Sequence, residues 1–195
     1  MKNKETIFFR VDGDNGQKAG LGHICRTLKI YKFLKNIFQK KYNYIFLMKN
    51  YELGRKIIHE KTKEKIITYS KFINKEIFNE KDIVIIDTLG AEKFFLKILE
   101  IKKVKKIINF DELNLKIFKR GIIINGIYFA KKKLTTSSKK ISIFQGPEYL
   151  VLNEQFYKEK KRLEINNKIN VLISSGGADN KNFLFKICNI LNLHK

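Results

Sequence analysis

The residues best suited to chemistry sit together in AGLGHICRTLKIY, which starts at Ala19 just beyond a first β-rich run. Gly20 and Gly22 allow the backbone positive φ and close approach to a ligand. A helix that starts here would aim its unpaired N–H groups and positive dipole end into the loop, making a cradle for an anion or sugar phosphate. The dinucleotide fingerprint G-x-G-x-x-G is incomplete, because Cys25 stands where its third glycine would be. His23 falls in the first turn of that helix. A helix N-terminus disfavours the imidazolium form, which leaves a ring able to take a proton from water. The plainer alternative is a histidine that only caps the loop. Arg26 follows one turn later on the same face.

Two carboxylates occupy comparable places. Asp87 ends DIVIID and Asp111 ends KKIINF, so each stands at the carboxyl end of an expected strand. There it could bind sugar hydroxyls or orient a histidine, or simply cap the next helix. A second glycine turn, SSGGADN from Ser174 to Asn180, offers backbone N–H groups and the Ser174 and Ser175 hydroxyls to a phosphate. An ordinary tight turn between strand and helix would look the same. His23, His59 and His194 are isolated from one another, and no H-E-x-x-H, paired cysteines or Asp-rich loop occurs. Metal-independent chemistry with no cofactor is expected. Nucleophile elbows and Walker loops are also absent.

The elements that must hold these groups recur regularly. Short runs rich in Ile, Val and Phe begin at Thr6, Tyr44, Lys65, Asp82, Lys105, Gly121 and Ile141. Between most of them the spacing is helical: Ile24, Leu28, Tyr31, Leu34 and Phe38 form one apolar stripe, and Phe94, Phe95, Ile98 and Ile101 another. Nearly continuous apolar strands alternating with amphipathic helices predict a doubly wound, Rossmann-like α/β fold with a parallel sheet covered on both faces. Ligands of such sheets bind outside the carboxyl ends of the strands. Residues 1–152 are read as this first domain and 153–168 as a charged surface helix and linker. Residues 169–195 are read as the start of an incomplete second α/β domain, or as a last strand and helix added to the first.

The chain has 195 residues, 44% of them hydrophobic and 12% aromatic, which suits a packed core and argues against disorder. Lys+Arg 41 against Asp+Glu 19 gives a formal charge of +22. Alone, that charge would suggest a polyanion partner. Only Arg10, Arg26, Arg55, Arg120 and Arg162 are arginine, however, and the heavily used Ile, Asn, Phe and Lys share codons made only of A and T. A lysine-rich solvated surface therefore explains the charge better than nucleic-acid binding, and no membrane partner is expected. Cys25 and Cys188 are far apart in sequence, the N-terminus has no apolar signal region, and no apolar run approaches the ~18–20 residues of a membrane span. A cytoplasmic protein is expected.

Five blocks, taken in order, resemble a known family: FFRVD with GLGHICR, IIDTLG, FDEL with IIIN, QGPEYLVLNEQF, and VLISSGGADN. This is the family of UDP-2,4-diacetamido-2,4,6-trideoxy-β-L-altropyranose hydrolases of pseudaminic acid biosynthesis, with the related spore-coat polysaccharide proteins. The resemblance implies the N-terminal half of a glycosyltransferase-B-type arrangement, and removal of UDP from an activated sugar by water without a metal. It implies that His23 activates the water. On the sugar side it implies Gly20, Gly22, Arg26, Asp87, Asp111 and Asn125, and on the nucleotide side Ser175, Gly176, Gly177 and Asp179. The chain departs from the pattern at Leu89, where the family has tyrosine, at Asn153 for arginine and at Asn180 for proline. A nucleotide clamp would need the rest of the second domain, so a partner chain supplying it is a further expectation. Glycosyl transfer by the same base is the alternative enzymatic reading.

Overall fold

The computed structural model describes residues 5–14, 20–111, 114–126, 134–157, 173 and 182–193. Among these residues, seven strands form one parallel sheet in the order β3-β2-β1-β4-β5-β6-β7. The strands are β1 (Thr6–Val11), β2 (Asn43–Met48), β3 (Lys65–Thr68), β4 (Ile83–Asp87), β5 (Lys106–Phe110), β6 (Gly121–Asn125) and β7 (Ile141–Gln145). The helices are α1 (Gly22–Phe38), α2 (Glu52–Thr62), α3 (Lys93–Ile101) and α4 (Phe183–Leu193). The seven strands expected from Thr6 to Ile141 are present, the strand expected at the start of 169–195 lies outside the described residues, and the fold is the doubly wound, Rossmann-like one.

Both faces of the sheet are covered, which is why its central strands read as unbroken apolar runs. Successive side chains of β1 point to opposite sides. Ile7, Phe9 and Val11 join Phe46, Met48, Ile85, and Ile24 and Tyr31 of α1 in one core, while Phe8 joins Leu47, Val84, Ile86, and Phe95 and Leu99 of α3 in the other. Phe9 stacks on Phe46 at 5.1 Å between ring centroids, with Tyr31 edge-on to both. Each such ring taken out of water contributes about 1.5–3 kcal/mol.

The α1 stripe packs inward as its spacing predicts. In α3 the inward residues are Phe95, Leu96, Ile98 and Leu99, whereas Ile101 is 60% exposed. Ile101 ends the helix and turns away from the sheet, a rotation of the face that a nine-residue periodicity leaves undetermined. Of the expected charged helix at 153–168, the described part is a 3-10 turn at Glu154–Tyr157; the rest lies outside the described residues, as do His194 and the turn holding Ser175, Gly176, Gly177 and Asp179. The helix expected after that turn is α4, whose Phe183, Phe185 and Ile190 are more than half exposed.

The topology positions the site. The chain winds from β1 out to β3, then returns to place β4 on the other side of β1, so the strand order reverses between them. At such a switch point the loops leave in opposite directions and open a crevice at the carboxyl edge. Val11, the last residue of β1, is the register partner of Asp87, the last of β4. No helix among the described residues is long and apolar enough to cross a membrane.

Candidate functional site

His23 reaches the crevice because α1 begins at Gly22, directly after the loop that leaves β1. Leu21 stands at the N-cap position, no side chain caps the helix, and no acidic residue occupies its first turn. The first-turn N–H groups therefore face the cleft without a side-chain cap, as a cradle for negative charge requires. Asp87 rises from the end of β4 on the α1 side, with its side chain only 1% exposed. Its Oδ1 lies 2.6 Å from His23 Nδ1. With the Nδ1 proton donated to Asp87, Nε2 carries the lone pair that can accept a proton from a reactant.

Arg26 completes the cluster from one helical turn beyond His23. Its Nε donates to Asp87 Oδ2 at 2.8 Å and its Nη2 to Oδ1 at 2.5 Å, while Nη1 donates to Asp111. The guanidinium carbon lies 5.2 Å from the centre of the Phe110 ring. Thr27 adds a hydroxyl donor to Asp87 Oδ2 at 3.3 Å. Asp111 sits just past β5 with φ of 55°, a left-handed backbone that aspartate tolerates better than most residues. One cation is thus clamped by two carboxylates from neighbouring strands, in the planar fork geometry that suits arginine rather than lysine.

The electrostatics follow from burial set against partners. Burial alone pushes the Asp87 carboxyl up, but the hydrogen bonds and charges of Arg26 and His23 outweigh it and hold Asp87 below the usual carboxylate value. For Arg26, burial acts to lower the guanidinium, and Asp87 and Asp111 more than reverse it, so the net shift is upward. Both groups stay charged across the physiological range. Asp87 is neither a helix cap nor a free ligand for sugar hydroxyls: it fixes His23 and Arg26.

The cleft above this cluster measures about 540 Å³, and Gly20, Gly22, His23, Arg26, Asp111 and Leu89 lie in its wall. A larger, mostly apolar groove of about 720 Å³ adjoins it between α1 and residues 150–155, sharing Lys29, Leu150 and Val151 with the cleft. Five of the six residues assigned to the sugar side therefore meet His23: four in the wall and Asp87 beneath it. Asn125 does not. It is fully buried at the end of β6, where its carbonyl accepts the Gly146 N–H at 3.0 Å, and its place in the pleat puts its side chain on the α3 face with Ile123. Leu89 is 77% exposed.

Sequence reasoning missed a second polar group at the same edge. Arg10 and Asp12 are buried and paired at 2.6 Å, Lys49 donates its N–H to Asp12 at 2.9 Å, and Lys49 Nζ lies 3.0 Å from Glu92. The Tyr69 hydroxyl donates to Glu92, and the Arg10 guanidinium lies 3.7 Å over the Tyr69 ring. The signal was present in FFRVD, because an arginine inside an otherwise apolar, fully covered strand must find a carboxylate. Among the described residues, no three His, Cys, Asp or Glu side chains cluster as metal ligands would.

Fold and site together define a Rossmann-like α/β protein with a His–Asp–Arg cluster at the switch point of its sheet. The chain is similar over 188 residues to an uncharacterized protein of Methanocaldococcus jannaschii, at 33% identity, covering 89% of this chain and 37% of that protein. It is also similar over 181 residues to the spore coat polysaccharide biosynthesis protein SpsG of Bacillus subtilis, at 27% identity, covering 89% of this chain and 52% of that one. The chain thus spans about half, or less, of the length of these curated relatives. No family model and no solved structure matches it.

Proposed function

We propose that this chain is part of a nucleotide-sugar enzyme of surface polysaccharide biosynthesis, and that its reaction is hydrolytic release of UDP from an activated deoxyamino sugar. The observation that carries the reading is the 2.6 Å contact between His23 Nδ1 and Asp87 at the mouth of an open cleft. An oriented imidazole backed by a buried carboxylate is the arrangement of a general base. The distant likeness to a spore coat polysaccharide biosynthesis protein supports the substrate class.

In this reading His23 Nε2 takes a proton from water as the water oxygen bonds to the substrate. The bond to UDP breaks, and UDP leaves with the electron pair. The N-terminus of α1 faces the charge that the diphosphate carries. Arg26 is held by Asp87 and Asp111, so its first role is to position Asp87 and, through it, His23; direct contact with the sugar would use what remains of its exposed edge. In the same reading Ser175, Gly176, Gly177 and Asp179 meet the nucleotide. The protein works without a metal or cofactor, in the cytoplasm.

Incubating the protein with UDP-linked amino sugars and following UDP release tests this. UDP release that His23→Ala abolishes supports it, and absence of release from every such sugar sinks it. Mass spectrometry of the product, free sugar or glycoside, distinguishes hydrolysis from transfer.

A further inference from the structure

His23 faces two cavities. Besides the open cleft, it borders a smaller one of about 130 Å³ whose wall includes Arg10, Asp12, Lys49, Thr88 and Glu92. His23 and Leu89 line both, so the two cavities meet at the candidate base. The polar ring found at this sheet edge forms much of the small chamber's wall.

The chemistry of that wall is specific in what it leaves out. Arg10 is neutralised by Asp12, and Lys49 by Glu92 with Asp12 at 3.8 Å. Two cations and two carboxylates cancel, so the chamber offers little net attraction to an ion. Its wall does carry donors and acceptors, with Tyr51 and the Thr88 hydroxyl, which donates to the Gly90 carbonyl at 3.0 Å, beside them. Burial would push Glu92 up, but Tyr69, Lys49 and Arg10 hold it below its usual value, so it remains an acceptor. The volume is well below the ~300–1,000 Å³ typical of sites for organic ligands. At about 30 Å³ per molecule its volume suits roughly four waters.

We propose that this chamber is the water store of the site, feeding the nucleophile to His23 while the sugar fills the larger cleft. The inference rests on the hydrolytic reading and deepens it. A base reached only through the substrate cleft would lose its water when substrate binds, whereas a side chamber keeps water within reach. The same walls exclude an acceptor sugar by size, which would favour hydrolysis over transfer. Leu89 lines both spaces and forms the apolar rim where they meet.

Two measurements test it. The first needs no substrate: a high-resolution crystal structure of the protein is expected to show ordered waters bonded to Asp12 and Glu92, one of them within hydrogen-bond reach of the His23 ring. A dry chamber, or one closed by its own side chains, overturns the proposal. The second fills the chamber in the protein that releases UDP. Thr88→Phe is expected to lower kcat about tenfold or more with KM nearly unchanged. An unchanged kcat in a Thr88→Phe variant whose crystal structure shows the ring in the chamber overturns it as well. If the wild-type protein releases no UDP, the hydrolytic reading fails, and with it the chamber's role as a nucleophile store; ordered water beside His23 would then survive only as a structural finding.

Discussion

His23 Nδ1 and Asp87 Oδ1 lie 2.6 Å apart although 64 positions separate them in the chain. The contact exists because β1 and β4 are neighbours, with the first turn of α1, which follows β1, carrying one partner and the last residue of β4 being the other. Removing the imidazole should leave the fold intact, since His23 lies at the cleft surface and outside both cores. His23→Ala is expected to slow UDP release by about 10²–10⁴-fold, the usual contribution of a positioned base. Steady-state rates, with circular dichroism as a check on folding, measure it.

Arg26 is expected to matter for stability as well as activity. Arg26→Met removes the cation bound to Asp87 and leaves that buried carboxylate with His23 and Thr27 alone. Because His23 remains, the loss should fall at the lower end of that for breaking a buried pair, about 3 kcal/mol. Urea unfolding of the two proteins gives the difference, and a change below ~1 kcal/mol would show that the clamp contributes little.

Acid should weaken the protein through the same carboxylate. Asp87 has a folded pKa below its unfolded value, so its stabilising contribution is fully present above the unfolded value of about 3.9. Protons bind the unfolded chain first, and stability is lost as pH falls from there through the folded value. Melting temperature measured from pH 7 downward should drop in this window, and Asp87→Asn should flatten that part of the curve.

Gly54, within α2, makes a prediction opposite to helix propensity. A Cβ built there would stand 2.0 Å from the Gly13 carbonyl oxygen and 2.8 Å from Ile24 Cδ1. An interior Gly→Ala change normally favours a helix by up to ~1 kcal/mol. Here Gly54→Ala must push α2 away from the start of the loop after β1 and from α1, so thermal melting should show a net loss of stability.

The +22 charge carries its own expectation. If the lysines form a solvated surface and no dedicated polyanion site, DNA or RNA retained at low salt should be released by physiological ionic strength, where counterion competition removes non-specific contacts. Retention measured by filter binding at both salt concentrations decides the matter, and tight binding at the higher one would restore the nucleic-acid reading.

Much of this architecture is legible in local pattern. Strand and helix alternation depends on the spacing of apolar residues within a few turns, and it placed the seven strands seen among the described residues and put His23 at the opening of α1. The glycines of GLGH and the two strand-ending aspartates marked positions that line the cleft or lie beneath it. The facing of short helices was less legible: Ile101 turned outward, because one residue at a helix end can leave the stripe at little cost.

The sequence by itself determined which groups reach the carboxyl edge of the sheet, because that depends only on where each strand ends. Their partners were decided by the tertiary structure. Strand order set Asp87 beside His23, brought Asp111 to the other side of Arg26, and drew Arg10, Asp12, Lys49, Tyr69 and Glu92 into one ring. Asn125, also at a strand end, was turned into the interior. Pairing of this kind depends on which strands become neighbours and on which face each side chain takes. Both are settled only when the whole sheet closes over its two cores.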